Sequence, residues 1–412
     1  MKLVKKNALP KVAFEATFQK YWVARFLSTF CVEGINVSIA WKIYDITENP
    51  LYLGLVGLTQ FVPLILLGLI SGYVSDKYNR KNIFFWCLII EAIIASSFII
   101  INSFENVKVI FLFYPLIALG IVRAFFGPAS SALLPNIVTK KTLPDAVALS
   151  AISWQTGSIF GPIFGGFIYG ISENLGYVFA FLSLLLAALL IFTIPKTINQ
   201  EKVESMNFKN LIMGFSYVWN KKILLGVISL DLFAVIFAGA IALLPIYARD
   251  ILETGPTTLG LLRASPGIGA ILVAILLSRY SIKNNSGLVM LFAVALFGLF
   301  TMLFGISTNT TLSIIFLCFI GGFDMLSVYI REIIVQLGTE DKMRGRVNSI
   351  NMMFVGASNE LGEFRAGIMA FWMGSVPAVV LGGMGAIAIT GFWSILFPEL
   401  RKLNKLKGNF SS

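Results

Sequence analysis

Long apolar stretches recur along the chain at nearly regular intervals, separated by short polar connections. Twelve can be marked, at about 21–46, 51–74, 82–102, 108–128, 144–170, 174–194, 222–248, 257–280, 286–306, 310–334, 347–373 and 376–396. A helix rises about 1.5 Å per residue, so about 20 apolar residues cross a hydrocarbon core of about 30 Å. Each stretch is long enough. The pattern therefore predicts an all-α membrane protein of twelve transmembrane helices. The longest connection, 195–221, carries Phe208, Leu211, Ile212, Phe215, Val218 and Trp219 at helical spacing opposite polar residues. That periodicity predicts an amphipathic helix lying on the inner leaflet.

The same connection divides the chain into an N-terminal six-helix half, 1–194, and a C-terminal six-helix half, 222–412, with a short basic tail. A sparse internal repeat agrees with this division. A shift of 200 residues places Thr139-Lys140-Lys141 on Thr339-Glu340-Asp341 and Val147 on Val347, just before the fifth span of each half. Repeated halves are common among transporters.

Composition narrows the class further. Of 412 residues, 57% are hydrophobic and 13% charged, with a mean hydropathy of +0.84; soluble domains run at about 25% charged. Cys31, Cys87 and Cys318 fall inside apolar runs and read as packing residues. There is no histidine, which removes the commonest metal ligand and the usual near-neutral proton carrier, and no metal site is expected. No nucleophile and base, phosphate loop or Walker-type site stands out, so an enzyme is not expected. The net charge of +11 raises nucleic acid as a partner, but the placement of the cations answers that. They gather at Lys2 to Lys20, Lys77 to Lys81, Lys140 and Lys141, Lys196 to Lys222, Arg279 and Lys283, Lys342 to Arg346, and Arg401 to Lys407; the intervening connections hold Lys108 and Arg249. This alternation is the positive-inside pattern, with both termini cytoplasmic. The first span carries Arg25, Glu33 and Lys42, so it is not a cleavable signal.

Between the second and third spans lies GYVSDKYNRK, Gly72 to Lys81. Its Gly72-x-x-x-Asp76-Lys77-x-Asn79-Arg80-Lys81 resembles the signature loop of the major facilitator superfamily. Asn79 stands where that family has glycine, and Asn is the residue after glycine most at ease in a left-handed turn. The resemblance implies a cytoplasmic gate in which Asp76, with Gly72, Lys77, Arg80 and Lys81, meets the start of span 11 near Arg346. Span 4 carries Arg123 and Gly127, similar to the Arg-x-x-x-Gly motif of proton-coupled members. Span 5 carries Gly157-x-x-x-Gly161-Pro162-x-x-Gly165-Gly166, which resembles the antiporter motif of exporters, with Ala148 in place of an upstream glycine. Small residues at helical spacing let two helices approach closely, and ordinary packing is the alternative reading. Trp41 to Pro63, Met343 to Phe354 and Gly362 to Gly367 are similar to the branch that holds the enterobactin exporters.

Ionisable residues inside a membrane are expensive and usually either functional or paired. The spans hold Arg25, Lys42, Arg123, Arg263, Arg331 and Arg365 against Glu33, Glu91, Asp231, Asp324, Glu332, Glu360 and Glu363. In the superfamily fold, spans 1, 4, 7 and 10 line the central cavity, and here they carry Glu33, Arg123, Asp231 and Asp324. On span 1, Arg25, Thr29, Glu33, Asn36, Ala40 and Tyr44 share one face. Structural ion pairs between helices are the alternative. Arg331 and Glu332 lie close enough to the inner end of span 10 to snorkel to water. Glu91, in the middle of span 3, has no role that the pattern explains.

The resemblance implies a secondary active transporter of a bacterial inner membrane, working as a monomer by alternating access. It further implies a proton-coupled exporter of a small amphiphilic molecule, siderophore-like or drug-like, needing no cofactor beyond the proton gradient. Glu33 is the first candidate for the coupling proton, then Asp324 and Asp231; Arg123, Asn36 and Arg25 complete the pathway. Uptake by proton symport and a non-transporting receptor are the alternatives.

Overall fold

The computed structural model describes residues 10–104, 107–195, 208–280, 282, 284–340 and 342–404; for Leu69, Asp76 and 208–212 it describes the backbone path alone. Lys2, Lys5, Lys6, Lys196, Lys202, Lys283, Lys405 and Lys407 lie outside the described residues, as do the side chains of Asp76, Phe208, Leu211 and Ile212.

Every apolar stretch becomes a helix, and no strand occurs among the described residues. The order is α1 (Ala16–Thr47), α2 (Pro50–Lys77), α3 (Arg80–Asn102), α4 (Ile110–Ile137), α5 (Leu143–Ile171) and α6 (Leu175–Phe192), then α7 (Phe208–Asn220) and α8 (Lys222–Ala238). After α8 come a 3₁₀ turn at Ile241–Leu243, the short α9 (Leu244–Ile246) and a π turn at Tyr247–Ile251. The rest are α10 (Pro256–Arg279), α11 (Ser286–Ile306), α12 (Thr310–Gly338), α13 (Arg344–Met373), α14 (Ser375–Leu396) and α15 (Pro398–Lys402).

Ten helical segments among the described residues have the length and apolarity to cross a membrane. The other two expected spans, α5 and α13, are 29 and 30 residues long. Their glycines, polar residues and charges lower their hydropathy, because these two helices pack closely on neighbours. The seventh span departs from the continuous helix expected over 222–248. It breaks after Ala238, where a Cβ at Gly239 would lie 2.7 Å from the Gly362 carbonyl carbon. Pro245, lacking an N–H, falls within the irregular stretch that follows.

Two compact units result. The first takes Met1–Ser38 and Val62–Ser205; the second takes Ile39–Phe61 and Met206–Ser412. The hairpin tip joining α1 to α2 is thus part of the second unit, where a close crossing of Gly54 and Gly367 seats it on α13: a Cβ at Gly367 would lie 2.9 Å from the Gly54 Cα. In the first unit α3 packs on α4 and α6. In the second, α12 packs on α10 and α11, while α8 packs on α13 and α14. Leu224, Val227, Met290, Ile330, Val347 and Trp393 belong to one buried core there. The linker helix α7 packs on α13, where a Cβ at Gly214 would meet the Arg346 carbonyl oxygen at 3.0 Å.

Candidate functional site

In the first unit, the loop cations hold helix ends. Arg80 is buried; its Nε donates to the Ser75 carbonyl at 3.3 Å and its Nη1 to the Ala132 carbonyl at 3.2 Å and Asn136 Oδ1 at 3.5 Å. Lys81 donates to the carbonyls of Phe192 (2.8 Å) and Ile194 beyond α6. Cations at the last carbonyls of a helix complement its dipole. Lys77 is exposed over the Tyr73 ring, and Gly72 has open space where a Cβ would stand. Asn79 does not take the left-handed conformation expected of it. It has φ −66° and accepts from the Lys81 N–H at 3.0 Å, so it caps α3 instead.

The glycines of α5 meet α1 directly. A Cβ at Gly157 would lie 2.9 Å from Thr29 Cβ, one at Gly161 2.5 Å from the Phe30 carbonyl oxygen, and one at Gly165 2.5 Å from Gly34 Cα. Pro162 and Gly166 are buried in the same helix. A Cβ at Gly161 would also lie 3.0 Å from the Glu33 Cβ, so Glu33 sits half-buried beside the crossing. Thr29 and Asn36, from the same predicted stripe, are buried. Arg25 Nη1 donates to the Tyr21 hydroxyl at 3.0 Å, which in turn donates to the Ser130 carbonyl at 3.1 Å. Glu91 is 2% exposed and accepts from Ser28 Oγ at 2.8 Å. The Arg123 guanidinium on α4 is near enough for its charge to act on Glu91.

The second unit holds a buried charge cluster. Arg331 Nη1 on α12 pairs with Asp231 Oδ2 on α8, with side chains 3% and 7% exposed. Arg331 is thus buried and paired rather than snorkelling: α8 presents a carboxylate at its own depth, and the pair replaces water. Asp324 shares the Arg331 face of α12 two turns away, close enough to interact with both charges. Glu332 accepts from Asn351 Nδ2 at 2.7 Å, which ties α12 to α13. Arg346, at the start of α13, donates to Met343 Sδ at 3.5 Å.

The hairpin tip carries a second cluster that the sequence pattern did not single out. Arg249 reaches Glu48 at 3.0 Å and Asp45 at 3.4 Å, and lies 5.7 Å over the Tyr44 ring. The Tyr44 hydroxyl donates to Asp250. The available signal was that Arg249 is one of two cations in a set of connections whose other charges are carboxylates such as Glu48, Glu173 and Glu253. Nearby, a Cβ at Gly57 would meet Glu360 Oε2 at 2.4 Å.

Two helical units with charges buried within their apolar helices suit solute transport rather than covalent chemistry, and residues 13–409 match the model of one family, described as transmembrane secretion effector. The chain belongs to that family. It is thereby a member of the major facilitator superfamily, a multi-pass membrane transporter of small molecules and not an enzyme. It is similar to the enterobactin exporter EntS of Salmonella choleraesuis (strain SC-B67), 24% identical over 94% of each chain. EntS of Escherichia coli O1:K1 / APEC is 23% identical, over 94% of this chain and 93% of that one. Among solved structures, a bacterial homologue of the human lysosomal transporter Spinster superposes with a TM-score of 0.74 at 14% identity, covering 96% of this chain and 99% of that one. The nucleoside transporter NupG gives 0.68 at 16% identity, covering 94% and 99%. These last two likenesses concern the fold.

Proposed function

We propose that this transporter exports a small amphiphilic molecule of the siderophore type by alternating access, driven by proton entry. In this reading it sits in a bacterial inner membrane with both termini cytoplasmic, works as a monomer, and presents the α1–α2 hairpin tip to the outside. The observation that carries the reading is the cluster of Asp231, Arg331 and Asp324. Two carboxylates and one guanidinium leave one negative charge uncompensated, on an Asp324 that is half-buried, and an unpaired charge within a membrane is costly. A bound proton balances the cluster, so a step that loads and unloads it couples transport to the proton gradient. Export rather than uptake is supported by the α1–α5 glycine crossing, the feature that resembles the exporters' antiporter motif. Enterobactin is the first substrate to try, because it is what the curated relatives are named for.

The test uses proteoliposomes loaded with enterobactin under an imposed pH gradient. Asp324→Asn is expected to keep exchange down a substrate gradient and lose accumulation driven by the pH gradient. Glu33→Gln, run in parallel, decides between the two candidate carriers, Glu33 being the one the sequence ranks first. Gradient-driven accumulation surviving in both variants would sink proton coupling through either group. Accumulation on the wrong side of oriented vesicles would reverse the direction.

A further inference from the structure

One end of the second unit carries a basic, aromatic surface that takes no part in the buried charge cluster. The linker helix α7 turns two sides to different surroundings. Gly214 and Val218 are buried, Gly214 against the Arg346 carbonyl of α13. Phe215 and Trp219, four residues apart and so on one face, are exposed, Trp219 by 62%. Their rings stack with centroids 5.8 Å apart, and Phe215 stacks in turn on Phe354 of α13 at 6.5 Å. Packing on α13 thus fixes the aromatic pair while leaving its outer side bare. Cations flank it. Lys221 and Lys222 are exposed, and Lys221 Nζ lies 5.5 Å over the Tyr217 ring. Lys222 reaches Glu399 of α15 at 3.8 Å, which brings the exposed Arg401 and Lys402 to the same end. Both members of the Lys222–Glu399 pair are exposed, so solvent screens it and the excess of positive charge stands.

Depth decides the kind of partner. Trp219 comes just before α8 begins at Lys222, and Arg401 and Lys402 come just after α14 ends at Leu396. Both groups therefore lie at the end of a span, the level of the lipid headgroups, where indole rings are enriched. A soluble acidic protein would meet the cations but not the apolar rings. A phospholipid satisfies both at once: its acyl chains cover Phe215 and Trp219, and its phosphate meets the cations. A zwitterionic lipid carries its own ammonium beside the phosphate and an anionic one does not, so the excess charge selects the anionic kind.

We propose that α7 and α15 together bind anionic phospholipid, and that the bound lipid anchors the start of α13 to the bilayer. The route for the second effect is short. The Tyr217 hydroxyl accepts from the Glu340 N–H at 3.3 Å and donates to Glu340 Oε1 at 3.5 Å. With Gly214 against Arg346, α7 thus grips the turn between α12 and α13 from two points. Lipid held by α7 keeps that turn at headgroup level. Which leaflet supplies the lipid rests on the topology proposed above; the binding itself does not. Each cation near an anionic surface is worth about five-fold in partition.

The binding is read in phosphatidylcholine nanodiscs in which a minority of the lipid is brominated, either phosphatidylglycerol or phosphatidylcholine. Bromine quenches a nearby indole, and the share of Trp219 is the difference from Trp219→Phe. Brominated phosphatidylglycerol should quench Trp219 the more strongly, and high salt should shrink the difference. Lys221→Gln with Lys222→Gln should cut the preference for the anionic lipid by about 25-fold, whereas Lys221→Arg with Lys222→Arg should keep it. Lys140→Gln with Lys141→Gln, the same loss at an exposed pair in the first unit, should leave it unchanged. Equal quenching by the two lipids, a preference indifferent to salt or to the two lysines, or an equal loss in the first-unit control overturns the site. Hydrogen exchange reads the anchor: phosphatidylglycerol should slow exchange of the amides from Met343 to Arg346, and no longer do so once Lys221 and Lys222 are replaced by Gln. Unchanged exchange beside selective quenching overturns the anchor. No substrate enters either measurement, so the export reading can fail without touching this one.

Discussion

Replacing Arg249 by alanine removes the charge that ties the α1–α2 hairpin tip to the seventh span. Two contacts reach the hairpin, to Glu48 at 3.0 Å and Asp45 at 3.4 Å, together with the Tyr44 ring at 5.7 Å. The contact to Asp250 at 3.9 Å is with a sequence neighbour and survives any movement of the hairpin, so it adds nothing to the attachment. The Glu48 and Asp45 side chains are 71% and 48% exposed, which limits each pair to a few tenths of a kcal/mol up to about 1. The aromatic contact adds about 0.5 to 1 kcal/mol. The attachment lost is therefore about 1 to 3 kcal/mol, a factor of about 5 to 150 in the balance between attached and released hairpin. The hydrogen bond from Tyr44 to Asp250 and the Gly54–Gly367 crossing stay in place, so the hairpin should loosen without unfolding.

The assay places a cysteine at Leu53, which is 2% exposed within the second unit, after Cys31, Cys87 and Cys318 are replaced. A membrane-impermeant maleimide then reports how often the hairpin lifts. Arg249→Ala should accelerate labelling about 5-fold to 150-fold. Arg249→Lys should fall between, since an ammonium lacks the planar fork that spans two carboxylates. High salt should accelerate the unaltered protein in the same direction. An unchanged rate in Arg249→Ala would refute the reasoning, because the cluster would then contribute nothing to holding the hairpin.

Three other outcomes follow from contacts in the two units. Gly161→Leu should abolish transport while the protein still reaches the membrane, because even a Cβ there would lie 2.5 Å from the Phe30 carbonyl oxygen; Gly72→Ala, in open space, should transport normally, both read by uptake into oriented vesicles. Arg80→Ala should lower the melting temperature by leaving the Ser75 and Ala132 carbonyls without their donor, a loss of about 1.5 to 3 kcal/mol per charge-assisted bond. Arg331→Gln alone should cost about 3 to 5 kcal/mol by stranding Asp231, and Asp231→Asn with Arg331→Gln much less; thermal unfolding in detergent separates the two.

The hydrophobic pattern alone determined which segments form long apolar helices, where along the chain the linker helix falls and that the described residues hold no strand. Those properties depend on the transfer of each segment from water to lipid, which is a local sum over its own residues. The glycines of α5 were legible for a similar reason: closely spaced small residues announce a close approach, although not to which helix. Tertiary structure alone decided the partners. Arg331 has the same sequence surroundings whether it snorkels or pairs, and only the rotation of α8 relative to α12 brings Asp231 to it. Glu48 and Arg249 are 201 positions apart, and Ser28 and Glu91 are 63 apart, distances over which no periodicity carries information. Asn79 shows the same limit at short range. Its side chain suits either a left-handed turn or a helix cap, and the start of α3 one residue later selects the cap. Charge inside a bilayer has to be compensated, so the sequence could say that these groups have partners, but pairing is a property of distance, and distance is set only when the helices pack.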